Sequence, residues 1–168
     1  MIKILQEVAN DFNEIEVLLD LTFGLGRNAL SSYRYRDGVS SISELCFVLR
    51  DEFDVLVGVI RFWPILIGFQ RSPGLLLGPL GIHPTRQGEG LGEALIRRGL
   101  KKANKSGWSR VLLVGDDSYY GRFGFSKNIV KNIYFKNNLS SDRLLGIELS
   151  SNSMAGIKGP LCNLLIDF

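Results

Sequence analysis

The stretch RQGEGLGEALIRRGLKKA, from Arg86 to Ala103, sets glycines at alternate positions, Gly88, Gly90 and Gly92, directly before a helical pattern. Glycine weakens a helix's first turn, so a run of it there implies a backbone that must stay bare. A helix N-terminus offers N–H groups without intrahelical partners and the positive end of a dipole, and glycine lets a phosphate reach both. The chemistry implied is the holding of a pyrophosphate. Gly90 and Gly92 are followed by leucine and glutamate, which excludes the Gly-Lys-Ser/Thr loop of ATPases. The spacing G-x-G-x-G after roughly the fourth strand also departs from the dinucleotide fingerprint, G-x-G-x-x-G after the first.

Upstream, LLLGPLGIH (residues 75–83) reads as a buried strand, with leucines on both faces. Gly78 and Pro79 interrupt it: proline gives no ladder hydrogen bond, and a strand glycine marks a bulge or a close backbone approach. The strand is expected to part from a neighbour beyond this point. Main-chain groups of Leu80, Gly81 and Ile82 would then be open to a ligand that pairs as a further strand. The other reading is an edge strand kinked by Pro79.

The remaining elements must position these groups. Residues 2–8 read as a first strand. Asp11 and Glu14 resemble a capping box, and Phe12, Ile15, Leu19 and Phe23 recur at helical spacing until Gly24. The segment GLGRNALSSYRYRDGVS reads as a short, ragged second helix, whose Arg27, Arg34 and Arg36 could meet an anionic ligand or simply be solvated. Glu44 to Arg50 and Val55 to Gly68 form an expected antiparallel pair joined by DEFD. From Gly92 to Ala103 an apolar stripe opposes Arg97, Arg98, Lys101, Lys102 and Lys105. A buried strand, Val111 to Gly115, follows.

The segment Gln87-Gly88-Glu89-Gly90-Leu91-Gly92 fits Q/R-x-x-G-x-G/A after a strand ending LGIHP, and SYYGRFGF then gives Y-x-x-x-G-F at Tyr120, Gly124 and Phe125. In this order, from about Leu75 to Phe125, the chain resembles the GNAT superfamily of acyl-CoA-dependent N-acyltransferases, and VGD-x-x-YY-x-RFGF is similar to one of its subgroups. The resemblance implies an α/β fold with a mixed, mostly antiparallel six- or seven-stranded sheet flanked by helices. That sheet is split between the fourth and fifth strands, near residues 80 and 113, with coenzyme A across the split. It implies transfer of an acetyl group from acetyl-CoA to a primary amine by direct attack on the thioester. Gln87, Gly88, Glu89, Gly90, Leu91 and Gly92 would bind the pyrophosphate, and Leu80 and Ile82 would orient the pantetheine arm. One cation of the following helix could meet the ribose phosphate.

Tyr120 would protonate the departing thiolate, with Tyr119 the alternative, since neighbouring helical residues point about 100° apart. Both could instead pack with Phe123 and Phe125 as an aromatic cluster. Leu113 stands where many relatives carry an asparagine, and no carboxylate occurs between Leu75 and Ile82, where some carry a glutamate. The amine proton would leave to water or to Glu44, Asp116, Asp117 or His83; the last, before Pro84, reads as a turn residue. Two other readings keep the fold: a non-catalytic acyl-CoA-binding sensor, or a protein-interaction module.

The chain's 168 residues, 45% apolar and 22% charged, suit one domain, residues 1–168. A net charge of +3 is too small to argue for nucleic acid. The N-terminus lacks a signal peptide's hydrophobic region, and the longest apolar run is interrupted by Arg61 and Pro64, so no membrane span and a cytoplasmic location are expected. Cys46 and Cys162 sit in apolar settings and read as reduced core thiols. With His83 the only histidine, no metal is expected. Ser126 to Asn138 and the tail SMAGIKGPLCNLLIDF should finish the sheet and wall the acceptor site. A homodimer stays open, dimers being the commonest soluble assembly.

Overall fold

Alternating apolar side chains build one twisted sheet whose two faces are covered by different helices. The computed structural model describes residues 1–136 and 139–166. Its strands are β1 (Lys3–Gln6), β2 (Phe47–Arg50), β3 (Leu56–Ile67), β4 (Ser72–Ile82), β5 (Arg110–Val114), β6 (Ile133–Tyr134), β7 (Leu144–Glu148) and β8 (Gly159–Asn163). They lie in the order β1-β2-β3-β4-β5-β7, with β8 against β3 and the two-residue β6 beside β8. β4–β5 and β6–β8 run parallel and the other pairs antiparallel. This is the mixed, mostly antiparallel sheet expected.

Helix α1 (Phe12–Phe23) buries Ile15, Leu18 and Leu19 against Val48, Leu56 and Val59 on one face. Helix α2 (Leu91–Lys105) buries Leu95, Ile96 and Ala103 against Phe47, Ile60, Phe62 and Leu77 on the other. Period-two alternation along the strands supplies both faces. Among the described residues no helix is long and apolar enough to cross a membrane. Both cysteines are unbonded and buried.

The parting of β4 and β5 follows from one irregularity. Along β3, Ile60 pairs with Leu80 but Phe62 pairs with Leu77, so Arg61 faces both Gly78 and Pro79, whose connecting peptide bond is cis. The extra residue bends β4. Its parallel pairing with β5 comprises Leu75 with Val111 and Leu76 with Leu112, and stops there. The closed end is pinned by Arg110, which donates to Pro73 O at 2.8 Å and to Ser153 O at 2.6 Å. β5 continues instead with β7, from Arg110–Glu148 to Val114–Leu144.

Several expectations change. Asp11 does not cap α1: its carboxylate accepts Val8 N–H at 2.9 Å and pairs with Arg50 at 2.7 Å, and Glu14 also goes to Arg50. Arg50, half-buried, draws both carboxylates into charge-assisted pairs, which are stronger than a bond to an exposed backbone N–H of the helix would be. The ragged second helix is two 3-10 turns, Arg27–Ala29 and Ser31–Arg36, and residues 43–45 form another before β2. Ser126 to Asn138 yields a single bridge from Ser126 to Gly146 of β7, a 3-10 turn at Asn128–Val130 and the two-residue β6, its last two residues lying outside the described ones. The strand completing the β5 side is β7, on a segment that carried no expectation.

Candidate active site

The split gathers the predicted main-chain groups. His83 N–H donates to Val57 O at 2.9 Å. Bonded and non-bonded pairs alternate along an antiparallel ladder, so Gly81 pairs inward with Val59, while Leu80 and Ile82, opposite Ile60 and Gly58, turn their N–H and C=O outward into the gap. The Gln87 side-chain amide donates to Ile82 O at 3.3 Å from that side. Gly81 therefore offers no free main chain. Its bare Cα makes room for α1 instead: a Cβ there would lie 3.1 Å from Leu19 Cδ2.

The glycine loop begins at His83, whose Nδ1 accepts Thr85 N–H at 3.2 Å and caps the turn Pro84–Arg86. Gly88 (φ +85°) and Gly90 (φ +79°) are left-handed, and a Cβ at either would meet nothing within 4 Å, so conformation rather than crowding calls for glycine. The first intrahelical bond of α2 is Ala94 N–H to Gly90 O at 3.1 Å. The N–H groups of Leu91, Gly92 and Glu93 precede it, and those residues line a cleft of about 920 Å³. Glu89 is drawn to Arg86 at 2.7 Å, which holds its carboxyl below the usual range and neutralises the loop's own negative charge.

The tyrosines close the far wall on α3 (Asp117–Tyr120). Tyr119 hydroxyl stands 2.7 Å from where a Cβ on Gly92 would be, so Gly92, unlike its two neighbours, is a matter of space. The Tyr120 ring lies against Gly115, just past the end of β5, leaving no room for a side chain there. The two rings meet edge-on at 4.9 Å, and Phe123 and Phe125 pack behind them at 5.6 and 6.0 Å. The two tyrosines thus belong to the aromatic cluster and to the cleft wall at once. Burial raises both phenols, Tyr120 to about 12, so each is a proton donor at neutral pH.

Arg36, Arg86, Arg122 and Arg143 line the cleft against two carboxylates, Glu93 and Asp116, so its field favours an anion. Of the four base candidates only Asp116 lines it, paired with Arg143 at 3.0 Å. None of Arg97, Arg98, Lys101, Lys102 and Lys105 lines it, and Arg97 is tied to Glu93 at 2.9 Å. Leu113 is buried in the core and supplies no polar group. Among the described residues no group of three or more histidine, cysteine, aspartate or glutamate side chains could hold a metal ion.

None of the described residues of the C-terminal tail lines the cleft; its wall on the α1 side is Thr22 and Phe23 at the end of that helix, with Leu30 and Tyr33 from the segment after it. The tail acts at one remove: Asn163, 1% exposed, donates its amide to Arg34 O at 3.0 Å and Asp37 O at 3.1 Å, and its Oδ1 accepts from Leu165 and Ile166 N–H at 2.8 and 3.0 Å. No local signal links Asn163 to the cleft, because the two carbonyls it holds there lie 126 and 129 residues away.

Outward strand groups, a bare helix N-terminus and arginines in one cleft fit an elongated ligand with a peptide-like arm and a diphosphate. Residues 43–127 match the model of the acetyltransferase (GNAT) domain, and the chain belongs to that family. It is 27% identical over 119 residues to the uncharacterized N-acetyltransferase YhbS of Escherichia coli, covering 71% of this chain and 70% of that one. It is 29% identical over 118 residues to the uncharacterized N-acetyltransferase YjhQ of the same organism, covering 70% of this chain and 64% of that one. Among solved structures, E. coli YhbS in complex with CoA superposes with a TM-score of 0.79 at 23% identity, over 96% of this chain and 87% of that one. A GNAT acetyltransferase from Brucella melitensis in complex with acetyl-CoA gives 0.69 at 25% identity, over 96% and 95%.

Proposed function

We propose that this protein transfers an acetyl group from acetyl-CoA to a primary amine, as a single domain working in the cytoplasm. The observation that carries the reading is the outward main chain of Leu80 and Ile82, facing a gap bounded by the α2 N-terminus at one end and Tyr120 at the other. The donor supplies an activated thioester: the amine nitrogen bonds to its carbonyl carbon, the carbon–sulfur bond breaks and the thiolate leaves.

Leu91, Gly92 and Glu93 N–H groups would hold the diphosphate, helped by Arg86. Leu80 and Ile82 would pair with the pantetheine amides, and Leu80 N–H, next to a proline that offers none, is the donor for the developing oxyanion. Tyr120 Oη–H would give its proton to the leaving sulfur, and the proton released by the amine would pass to water or to Asp116. Tyr119, with its hydroxyl against Gly92, is set towards the loop rather than the end of β5.

Acetyl-CoA-dependent thiol release across a panel of amines, with calorimetric binding of acetyl-CoA alongside, tests this. Binding with turnover on at least one amine class is expected. Binding of acetyl-CoA without turnover on any class would leave a sensor, and no binding would end the reading.

A further inference from the structure

Arg36 is a charged group in the cleft that the reaction above does not use, and unlike Arg122 and Arg143 it is buried. It is 9% exposed, and its Nε has no hydrogen-bond partner. Its guanidinium lies over the Tyr33 ring at 4.1 Å and beside the Trp63 ring at 5.4 Å. Among the described residues no carboxylate pairs with it. The nearby cations, Arg27 and Arg61, are each satisfied: Arg27 by Glu16 and Asp20, Arg61 by Glu7. Arg36 is therefore a buried positive charge whose like-charged neighbours are neutralised and which itself is not. Burial pulls its pKa down to about 10, which leaves it charged at neutral pH.

Its position is specific. A Cβ on Gly78 would lie 2.9 Å from Arg36 Nη2, so that glycine, at the bulge where β4 leaves β5, is what admits the guanidinium. Strand alternation puts Gly78, Trp63 and Gly81 on the face away from α2 and its phosphate loop: Trp63 packs against the cluster of Tyr35, Ile65 and Leu76, and Gly81 lies against Leu19 of α1. Arg36 thus stands on the acceptor side of the split, at its root. An unpaired buried cation is costly to keep, and removing water from a partner carboxylate there would offset that cost with a charge-assisted, fork-shaped pair.

We propose that Arg36 receives a carboxylate of the acceptor, which makes the acceptor an amino-carboxylate: a free amino acid, or a compound with a carboxylate a few bonds from its amine. The proposal rests on the acetyl-transfer reading and gives its substrate class. Rates of thiol release are compared for α-, β- and γ-amino acids against their carboxamides, in wild type, Arg36→Gln and Arg36→Lys. Amide formation lowers the amine's basicity and favours the free base, so a preference for the acids has to come from the protein. Wild type is expected to favour acids in kcat/KM by roughly 10- to 100-fold, carried mainly by KM, as for a charged hydrogen bond. The ratio should fall towards one in Arg36→Gln and partly recover in Arg36→Lys.

Calorimetry of the CoA-loaded protein with N-acetyl amino acids and with their amides reads the same discrimination without turnover, and acetyl-CoA binding checks that each variant is folded. Discrimination by binding in the absence of turnover would support this carboxylate site while sinking the transferase reading. Equal affinity for acids and amides, or an Arg36→Gln that lowers kcat alike on both, would overturn it.

Discussion

The Tyr119 hydroxyl occupies the space that any side chain at position 92 would need, 2.7 Å from a Cβ built on Gly92. The first turn of α2 and the tyrosine helix are therefore fitted to each other before any ligand arrives. Gly92→Ala should push them apart at a cost of about 1–3 kcal/mol, the usual range for overpacking. Tyr119→Phe removes the obstructing oxygen, so the double variant should recover most of the loss. Urea midpoints of the four proteins, read as a double-mutant cycle, give the coupling.

Gly90→Asp makes a different case. No atom lies within 4 Å of a Cβ there, and aspartate tolerates the left-handed conformation better than most residues. Stability should fall by no more than ~1 kcal/mol. Acetyl-CoA affinity, measured by calorimetry, should drop much further and depend on salt, because the new carboxylate faces the diphosphate.

Tyr120→Phe should lower kcat by roughly two to four powers of ten while leaving acetyl-CoA affinity near wild type. The same phenol gives a pH signature. In the unfolded chain it ionises near 10, whereas burial holds it to about 12 in the native protein. Between those values the native state binds more protons than the unfolded state, so stability is full below pH 10 and declines as pH rises through 12. The fall in urea midpoint from pH 9 to pH 11 should be shallower in Tyr120→Phe. Tyr35, also raised to about 12 by burial, contributes its share to both proteins.

Asn163→Ala removes the buried amide that joins the carbonyls of Arg34 and Asp37 to the N–H groups of Leu165 and Ile166. A loss of about 1–3 kcal/mol is expected, the range for removing a buried hydrogen-bonding group. Beyond stability, Arg36 should lose its fixed place, and the acid-to-amide ratio of wild type should narrow in this variant although position 163 lies outside the cleft. Thermal unfolding and the paired kinetic assay measure the two effects.

Local chemistry was legible and long-range arrangement was not. Gly88 and Gly90 announce a left-handed loop before a helix because the requirement is written in each residue's own backbone. That Tyr119 and Tyr120 line the cleft together was readable from their place before Gly124 and Phe125 along one short segment; which of them, if either, gives a proton is the proposal that the Tyr120→Phe variant tests. Pro79 foretells the parting of β4 from β5 for the same reason. Gly81 misleads, since the direction of its main-chain groups depends on register with β3, and a shift of one residue would have reversed it. β7 went unread because Leu144 to Glu148 is short and has no turn signature that distinguishes it from a loop. Arg36 looks like one surface cation among three until Gly78 and Trp63 are brought against it and the Asn163 amide holds the main chain on either side of it, at Arg34 and Asp37.

Arg110 fastens only the closed end of the gap, beside the two paired positions Leu75–Val111 and Leu76–Leu112, and no strand pairing ties β4 to β5 beyond them. If the proposed donor lies along Leu80, the acyl groups it can carry would be limited by girth at the mouth, the end that this anchor does not reach.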